Sequence, residues 1–321
     1  TPPRLQLIRD EILRTGHTRG WEADDYLKWY DAYACFLTER GFRDAFPTVD
    51  DLTRSMGNVS FYYQGRIIEN IRISNTVDAY AVNGWESMKL ENHSGIVDNY
   101  RNPKGDIETL AYYNRPLYLA VKMDRKVLSV GDTTTIDTYI VNEKNLKGKY
   151  TLNLTAKDES GQTLDYHTVQ VKVSGGSTYG ECLHTGWKYV PKIAGYTTIE
   201  AMLYKNKTVA ACGEDKLFAV QLNAEGISTN GSIADTTGTL NNFMQSFGIN
   251  LPAYKKGIPS GDYLLVGAYE PTQWGSGMSD ILEWVYKGHT LIIVDNPERW
   301  AEYLCDKEVL DYRGSKVLGK S

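Results

Sequence analysis

The 321-residue sequence contains no apolar run near the roughly 18 residues that a membrane-spanning helix needs, so no membrane partner is expected. It also lacks any block of basic residues, and its net charge is -5. Proteins that bind nucleic acid use such blocks to displace counterions from phosphate, so no nucleic-acid partner is expected either. Cysteine is sparse: Cys35, Cys182, Cys212 and Cys305 form no C-x-x-C pair and have no histidine at metal-ligand spacing. Neither a metal site nor a redox motif is therefore expected. Cys182 and Cys212 could face each other across a β-sandwich, but buried free thiols fit the spacing better. No G-x-G-x-x-G or P-loop spacing is present, so no nucleotide cofactor is expected. The N-terminal TPPRLQLIRDEILR has no basic region followed by an apolar core, and no signal peptide is read there.

Phenylalanine is scarce, at 7 residues, while tyrosine reaches 23 and tryptophan 7. Amphipathic aromatics suit both sugar faces and sheet surfaces. The length allows two or three domains, and 41% hydrophobic with 23% charged residues is the balance of a globular chain.

Residues 1 to about 75 have helical periodicity. Leu5, Ile8, Ile12 and Leu13 share one face and Gly16 stops it. An aromatic face follows, from Tyr26 to Leu37, ended by Gly41; Glu22, Asp24 and Asp25 stand where carboxylates favour a helix start. Another helical stretch begins after Pro47, and Phe61 to Ile73 reads as a helix leading into a strand.

That strand is Ala79-Tyr80-Ala81-Val82, within the stretch DAYAVNGWESMKLENHSGIVDNYRNPKGD from Asp78 to Asp106. It delivers Trp85-Glu86 at its C-terminal end and then a polar loop with Glu91, Asn92, His93 and Asp98. The segment Gly95-Ile96-Val97 and Arg101-Asn102-Pro103-Lys104 closes the stretch. It resembles the last barrel strand and exit segment of glycoside hydrolase family 2, which includes β-galactosidases and β-glucuronidases. There a Trp followed by an acidic residue ends strand eight, and a Gly-apolar-apolar segment leads to Arg-x-Pro. Here Glu86 stands where better-known members carry Asp. The resemblance implies that residues 1–114 are the C-terminal part of a (β/α)8 barrel, since a complete barrel takes about 250 residues.

From Arg115 the period changes to alternation: PLYLAVKM, TTTIDTYIV, YTLNLTAK, TVQVKV, YTTIEAMLY and DKLFAVQL, separated by Gly, Asn and Asp. About seven short strands in roughly 100 residues predict an immunoglobulin-like β-sandwich over residues 115–224. Family 2 enzymes carry such a sandwich directly after the barrel. Residues 225–321 switch again. Helices at Thr239 to Phe247 and Ser279 to Tyr286 alternate with buried strands DYLLVG and TLIIVD, which predicts a doubly wound α/β domain, flavodoxin-like or glutamine-amidotransferase-like. It has no Ser or Cys at a strand-to-helix elbow and reads as a scaffold or assembly module.

Retaining glycosidases need two carboxyl groups about 5 Å apart. In family 2 the acid/base Glu follows an Asn on barrel strand four and the nucleophile ends strand seven; neither position matches this sequence. Its one Asn-Glu pair, Asn142-Glu143, falls at a turn between sandwich strands and reads as surface. No catalytic residue is therefore expected in this chain, and alone it is expected to hydrolyse no glycoside. The resemblance makes Trp85, Glu86, Asn92 and His93 the candidate contacts to a carbohydrate substrate. Trp85 suits the C–H face of a pyranose, or it packs under the barrel mouth; Glu86 accepts hydroxyls, or it pairs with an arginine. Asn92 and His93 are rim residues or simply solvated. Asp98, Arg101 and Lys104 read as structural, and Trp187 as core or interface. By resemblance the setting is bacterial polysaccharide degradation, periplasmic or extracellular. A non-catalytic carbohydrate-binding or assembly module is the alternative, distinguished by a line of exposed aromatics on the sandwich. Assembly into a homo-oligomer stays open.

Overall fold

The computed structural model describes residues 2–16, 22–82, 84–86, 95–275 and 277–306, with the backbone alone at 305 and 306. The chain forms two compact units, Thr1–Gln221 and Leu222–Ser321.

The first unit opens with helix α1, Leu5–Thr15, whose Leu5, Ile8 and Ile12 are buried. Gly16 ends it at φ 69, a left-handed cap that costs glycine little. Helix α2, Ala23–Glu39, packs Tyr26 and Leu37 into the same small core. Helix α3 is one continuous 26-residue element, Val49–Ser74, where the sequence pattern read as two pieces. Thr48 starts it through a reciprocal capping box with Asp51. Two glycines on one face of α3 set how closely its neighbours approach. A Cβ at Gly57 would lie 1.8 Å from the Lys104 carbonyl oxygen, and one at Gly65 would lie 2.0 Å from the Tyr113 ring. Tyr113 belongs to the short helix α4, Ile107–Tyr113, which Asp106 caps by accepting from the Glu108 amide.

The expected strand Ala79–Val82 is not formed: it has no ladder partner among the described residues. Tyr80 and Val82 are exposed, and the ladder contacts nearby are single bridges from Val97 to Glu86 and to Pro103. An extended segment becomes a strand only where neighbours take up its amides and carbonyls.

Eight strands follow in two sheets. β1 (Leu117–Met123), β3 (Thr134–Asn142) and β6 (Gly180–Tyr189) form one, in the order β1-β3-β6. β2 (Val127–Ser129), β4 (Gly148–Lys157), β5 (Thr163–Val173), β7 (Gly195–Lys205) and β8 (Thr208–Val220) form the other, in the order β2-β8-β7-β4-β5. Pairing is antiparallel except between β2 and β8. The inward residues of both sheets meet in one core, with Leu119, Ile136 and Ile140 facing Leu152, Leu154, Ile199 and Leu203. Each such side chain contributes about 1.5–3 kcal/mol on burial. The opposite face of β1 and β3 is covered too: Tyr118, Ala120 and Val141 pack with Ile73 and Tyr112.

Glu143 is exposed and Trp187 lies in the core, as the sequence suggests, whereas Asn142, Cys182 and Cys212 depart from it. Asn142 is buried, not on the surface; its side chain accepts from the Leu146 amide and donates to the Leu146 carbonyl, bracing the turn. Glu143 meets Arg72 of α3 at 2.5 Å. Cys182 and Cys212 are free thiols, as expected, but exposed and not buried, and Cys35 is likewise free and exposed. Trp187 is 7% exposed in the sandwich core.

The second unit is a parallel three-stranded sheet in the order β11-β10-β9, built from β9 (Gly231–Ala234), β10 (Tyr263–Val266) and β11 (Thr290–Ile293). Helices α5 (Thr239–Ser246), α6 (Gly277–Tyr286) and α7 (Pro297–Asp306) alternate with the strands. Leu264 and Val266 enter a core with Trp274, Ile281 and Trp300, while Leu265 joins Ile233, Ile249 and Leu251 in a second. Burial on both faces explains why β10 reads as a continuous apolar run, whereas β11, read as a buried strand, lies at the sheet edge with Thr290 and Ile292 exposed. β9 escaped the sequence reading because it is four residues long and carries Ser232.

Candidate functional site

Trp85 is 60% exposed. Its carbonyl accepts from the amides of Ile96 (2.9 Å) and Val97 (3.0 Å), and the Lys104 amide donates to the Ile96 carbonyl at 3.0 Å. Residues 95–104 thus form a short folded-back segment that supports Trp85 and carries it on backbone hydrogen bonds. The ring is left facing outward.

Glu86 meets Arg101 at 2.9 Å, with side chains 32% and 64% exposed. Arg101 adopts φ 67, a left-handed conformation that an L side chain rarely takes. A tight turn imposes it. Asp98 accepts from the amides of Tyr100 and Asn102, both at 2.9 Å, and the Arg101 amide donates to the Asp98 carbonyl. Asp98 and Lys104 are completely buried below this turn. Burial raises the Asp98 carboxyl, against the hydrogen bonds from Asn102 and Tyr100 that favour its charged form. Burial lowers the Lys104 ammonium to about 8, with Asp98 opposing the shift. The pair anchors the turn, and the turn aims Arg101 at Glu86.

The structure therefore brings Trp85, Glu86 and Arg101 together on an exposed rim. Asn92 and His93, the other two candidate substrate contacts, lie outside the described residues. Glu22 does not cap α2 through its side chain; it accepts from Asn99 at 2.9 Å and ties the turn to the helices.

One cluster escaped the sequence reading. Arg66 of α3 meets Glu69 at 2.9 Å and Asp215 of β8 at 3.0 Å, Lys126 also pairs with Asp215, and Lys122 reaches Glu69 at 3.5 Å. Tyr62 hydrogen-bonds this group, and burial, with Asp215 beside it, pushes its hydroxyl up to about 12. The signal was present: Asp215 sits at an inward position of its strand, between Gly213 and Leu217. This network joins α3 to the sandwich and is a structural lock. Among the described residues no group of three or more His, Cys, Asp or Glu could hold a metal ion, and no helix is long and apolar enough to cross a membrane.

No family model matches the sequence, and no curated protein matches it. Among solved structures, a β-glucuronidase of Bacteroides uniformis is 14% identical over 58% of this chain and 24% of its own, with a TM-score of 0.25. A glycosyl hydrolase family 2 member from Bacteroides cellulosilyticus is 11% identical over 56% of this chain and 26% of its own, at 0.24. The CARDB domain of the PF1109 protein of Pyrococcus furiosus is 13% identical over 32% of this chain and 87% of its own, also at 0.24. The chain spans about a quarter of the two glycosidase structures it is similar to.

Proposed function

We propose that this chain is the C-terminal region of a retaining β-glycosidase of the family 2 kind, and that Trp85 and Glu86 form one wall of its sugar site. The observation that carries this reading is the outward-facing Trp85 ring beside a Glu86 carboxylate held by Arg101. An exposed indole gives a pyranose an apolar platform, and an oriented carboxylate accepts its hydroxyls. A second feature supports it. Val59, Tyr63 and Ile67 on α3, with Tyr80 and Val82 on the Ala79–Val82 segment, are all exposed, which is the pattern of barrel elements that pack against further barrel. The strand order β1-β3-β6 against β2-β8-β7-β4-β5 supports an immunoglobulin-like sandwich beside it.

In this reading the two catalytic carboxylates are contributed by barrel strands that this sequence does not contain. Glu86 is engaged with Arg101 and serves as a substrate contact, not an acid/base. The protein acts on bacterial oligo- or polysaccharide breakdown in the periplasm or outside the cell. The test is hydrolysis of aryl β-galactosides and β-glucuronides by the purified chain and by the longer protein that carries it. Turnover by the longer protein alone is expected, and turnover by the chain alone contradicts the assignment.

A further inference from the structure

Two clefts in the first unit merge into one groove that does not involve Trp85 or Glu86. One, of about 690 Å³, lies between α4 and the outer side of β7 and β8; the other, of about 510 Å³, runs on toward the β4–β5 turn. Both are lined by Tyr196, Glu214 and Lys216, so these residues form the middle of a continuous floor. Each volume lies in the range of about 300–1,000 Å³ typical of small-ligand sites.

Tyr196 is 52% exposed and pairs across the strands with Phe218, whose ring lies 4.8 Å away. One face is therefore held by its neighbour while the rest is open to the groove. Thr198 and Lys216 are the next cross-strand pair on the same side of the sheet. At the inner end the Tyr112 hydroxyl accepts from the Glu214 amide at 3.1 Å, and Arg115 lies 3.9 Å over the Tyr112 ring, which fixes that wall.

The charges narrow the ligand. Asp215 is taken up by Arg66 and Lys126, and Glu200 by Lys157 at 2.6 Å. Asp106 caps α4, and Asp158 accepts from the amides of Ser160 and Gln162 in its own turn. What still offers hydrogen bonds is the set Glu108, Glu159, Glu214, Thr198 and Lys216, around a tyrosine face. An anionic ligand would meet three carboxylates against one ammonium. A polycation would be drawn to those carboxylates by charge alone and would leave the open Tyr196 ring unused, whereas a ligand with alternating apolar faces and neutral hydroxyls uses both the ring and the flanking polar groups.

We propose that this groove binds a neutral oligosaccharide, with the Tyr196 ring as its platform and Glu214 and Lys216 as its hydroxyl partners. The ligand class follows from the groove itself and does not depend on the role given to Trp85.

The experiment is calorimetric titration of the full 321-residue chain with cellohexaose, xylohexaose, mannohexaose and laminarihexaose, against hexagalacturonate and decalysine. In high salt, which screens attraction by charge alone, at least one neutral hexasaccharide is expected to bind, and the two charged probes are not. Tyr196→Ala should weaken binding by about tenfold or more, Tyr196→Phe should retain it, and Tyr286→Ala, at an exposed tyrosine of the second unit, should leave it unchanged. Should Tyr196→Ala lower the melting temperature, Lys216→Ala, at an exposed position, should give the same loss with the fold intact. Binding of no neutral probe, binding of decalysine alone, or binding lost in Trp85→Ala but kept in Tyr196→Ala overturns the proposal. The last outcome would leave the reading of Trp85 standing.

Discussion

Arg66 of α3 and Asp215 of β8 form a 3.0 Å ion pair with side chains only 12% and 5% exposed, so a helix and a sheet are joined through buried charge. Asp215→Ala would leave the largely buried Arg66 and the half-buried Lys126 side by side with like charge and one fewer carboxylate. Breaking such a pair from one side costs about 3–5 kcal/mol. Urea denaturation should show the midpoint falling accordingly, and a double-mutant cycle with Arg66→Met should give a coupling of about 0.5–3 kcal/mol. Additive effects would mean that the two residues do not act as a pair.

Gly57 and Gly65 mark where α3 is approached most closely. At Gly57 the obstacle to a Cβ is the Lys104 backbone, while at Gly65 it is the Tyr113 ring. A ring rotates or shifts more readily than a backbone already held by the Lys104 amide's hydrogen bond to the Ile96 carbonyl. Both alanine variants should lose about 1–3 kcal/mol by overpacking, with Gly57→Ala the worse. Thermal unfolding of the two variants checks the order, and Gly65→Ala with Tyr113→Leu should recover part of the loss.

The buried Lys104 gives a signed pH dependence. Its folded pKa is lowered to about 8, against 10.5 for an ordinary lysine. Between those values the unfolded chain holds a proton that the folded chain has released, so stability rises with pH across that window. Below pH 8 both states are protonated and the gain is absent. Lys122 and Lys126, lowered by burial, act in the same sense, whereas Tyr62, pushed up to about 12, lowers stability above about pH 10. Urea midpoints from pH 8 to 10 should rise in the parent protein, and the rise should be smaller in Lys104→Met. Parallel curves would contradict the buried-ammonium account.

Much of this architecture was legible from period and punctuation. Leu5, Ile8 and Ile12 marked α1 and Gly16 its end, and alternation marked β1, β3, β4 and β7, because a residue's spacing reports the face it buries. Where the pattern reports composition alone, it misled. Ala79–Val82 is apolar enough for a strand, yet pairing depends on neighbours that no local pattern encodes. β6 was missed because its register with β3 shifts near Thr138, which breaks the alternation. At the candidate site, Trp85 and Glu86 were visible as residue types. The burial of Asp98 and Lys104, which positions Arg101, was not, since charged residues in a loop ordinarily face water.

Arg101 permits a separation of stability from binding. Its left-handed backbone costs about 1–2 kcal/mol that glycine avoids, and an exposed pair with Glu86 returns about 0–1 kcal/mol. Arg101→Gly should therefore melt at the same temperature or slightly higher. In the longer glycosidase proposed to carry this chain it should raise KM, because Glu86 loses the partner that orients it. A clear drop in melting temperature would return the Glu86–Arg101 pair to a purely structural role.

Whether Trp85 contacts sugar is read most directly from the kinetics of Trp85→Ala in the longer glycosidase proposed to carry this chain. With the ring 60% exposed, its removal should leave thermal stability unchanged. If Trp85 stacks on substrate, kcat/KM falls by an amount equivalent to about 1–3 kcal/mol. An unchanged kcat/KM at unchanged melting temperature would contradict the claim and leave Trp85 as a surface residue.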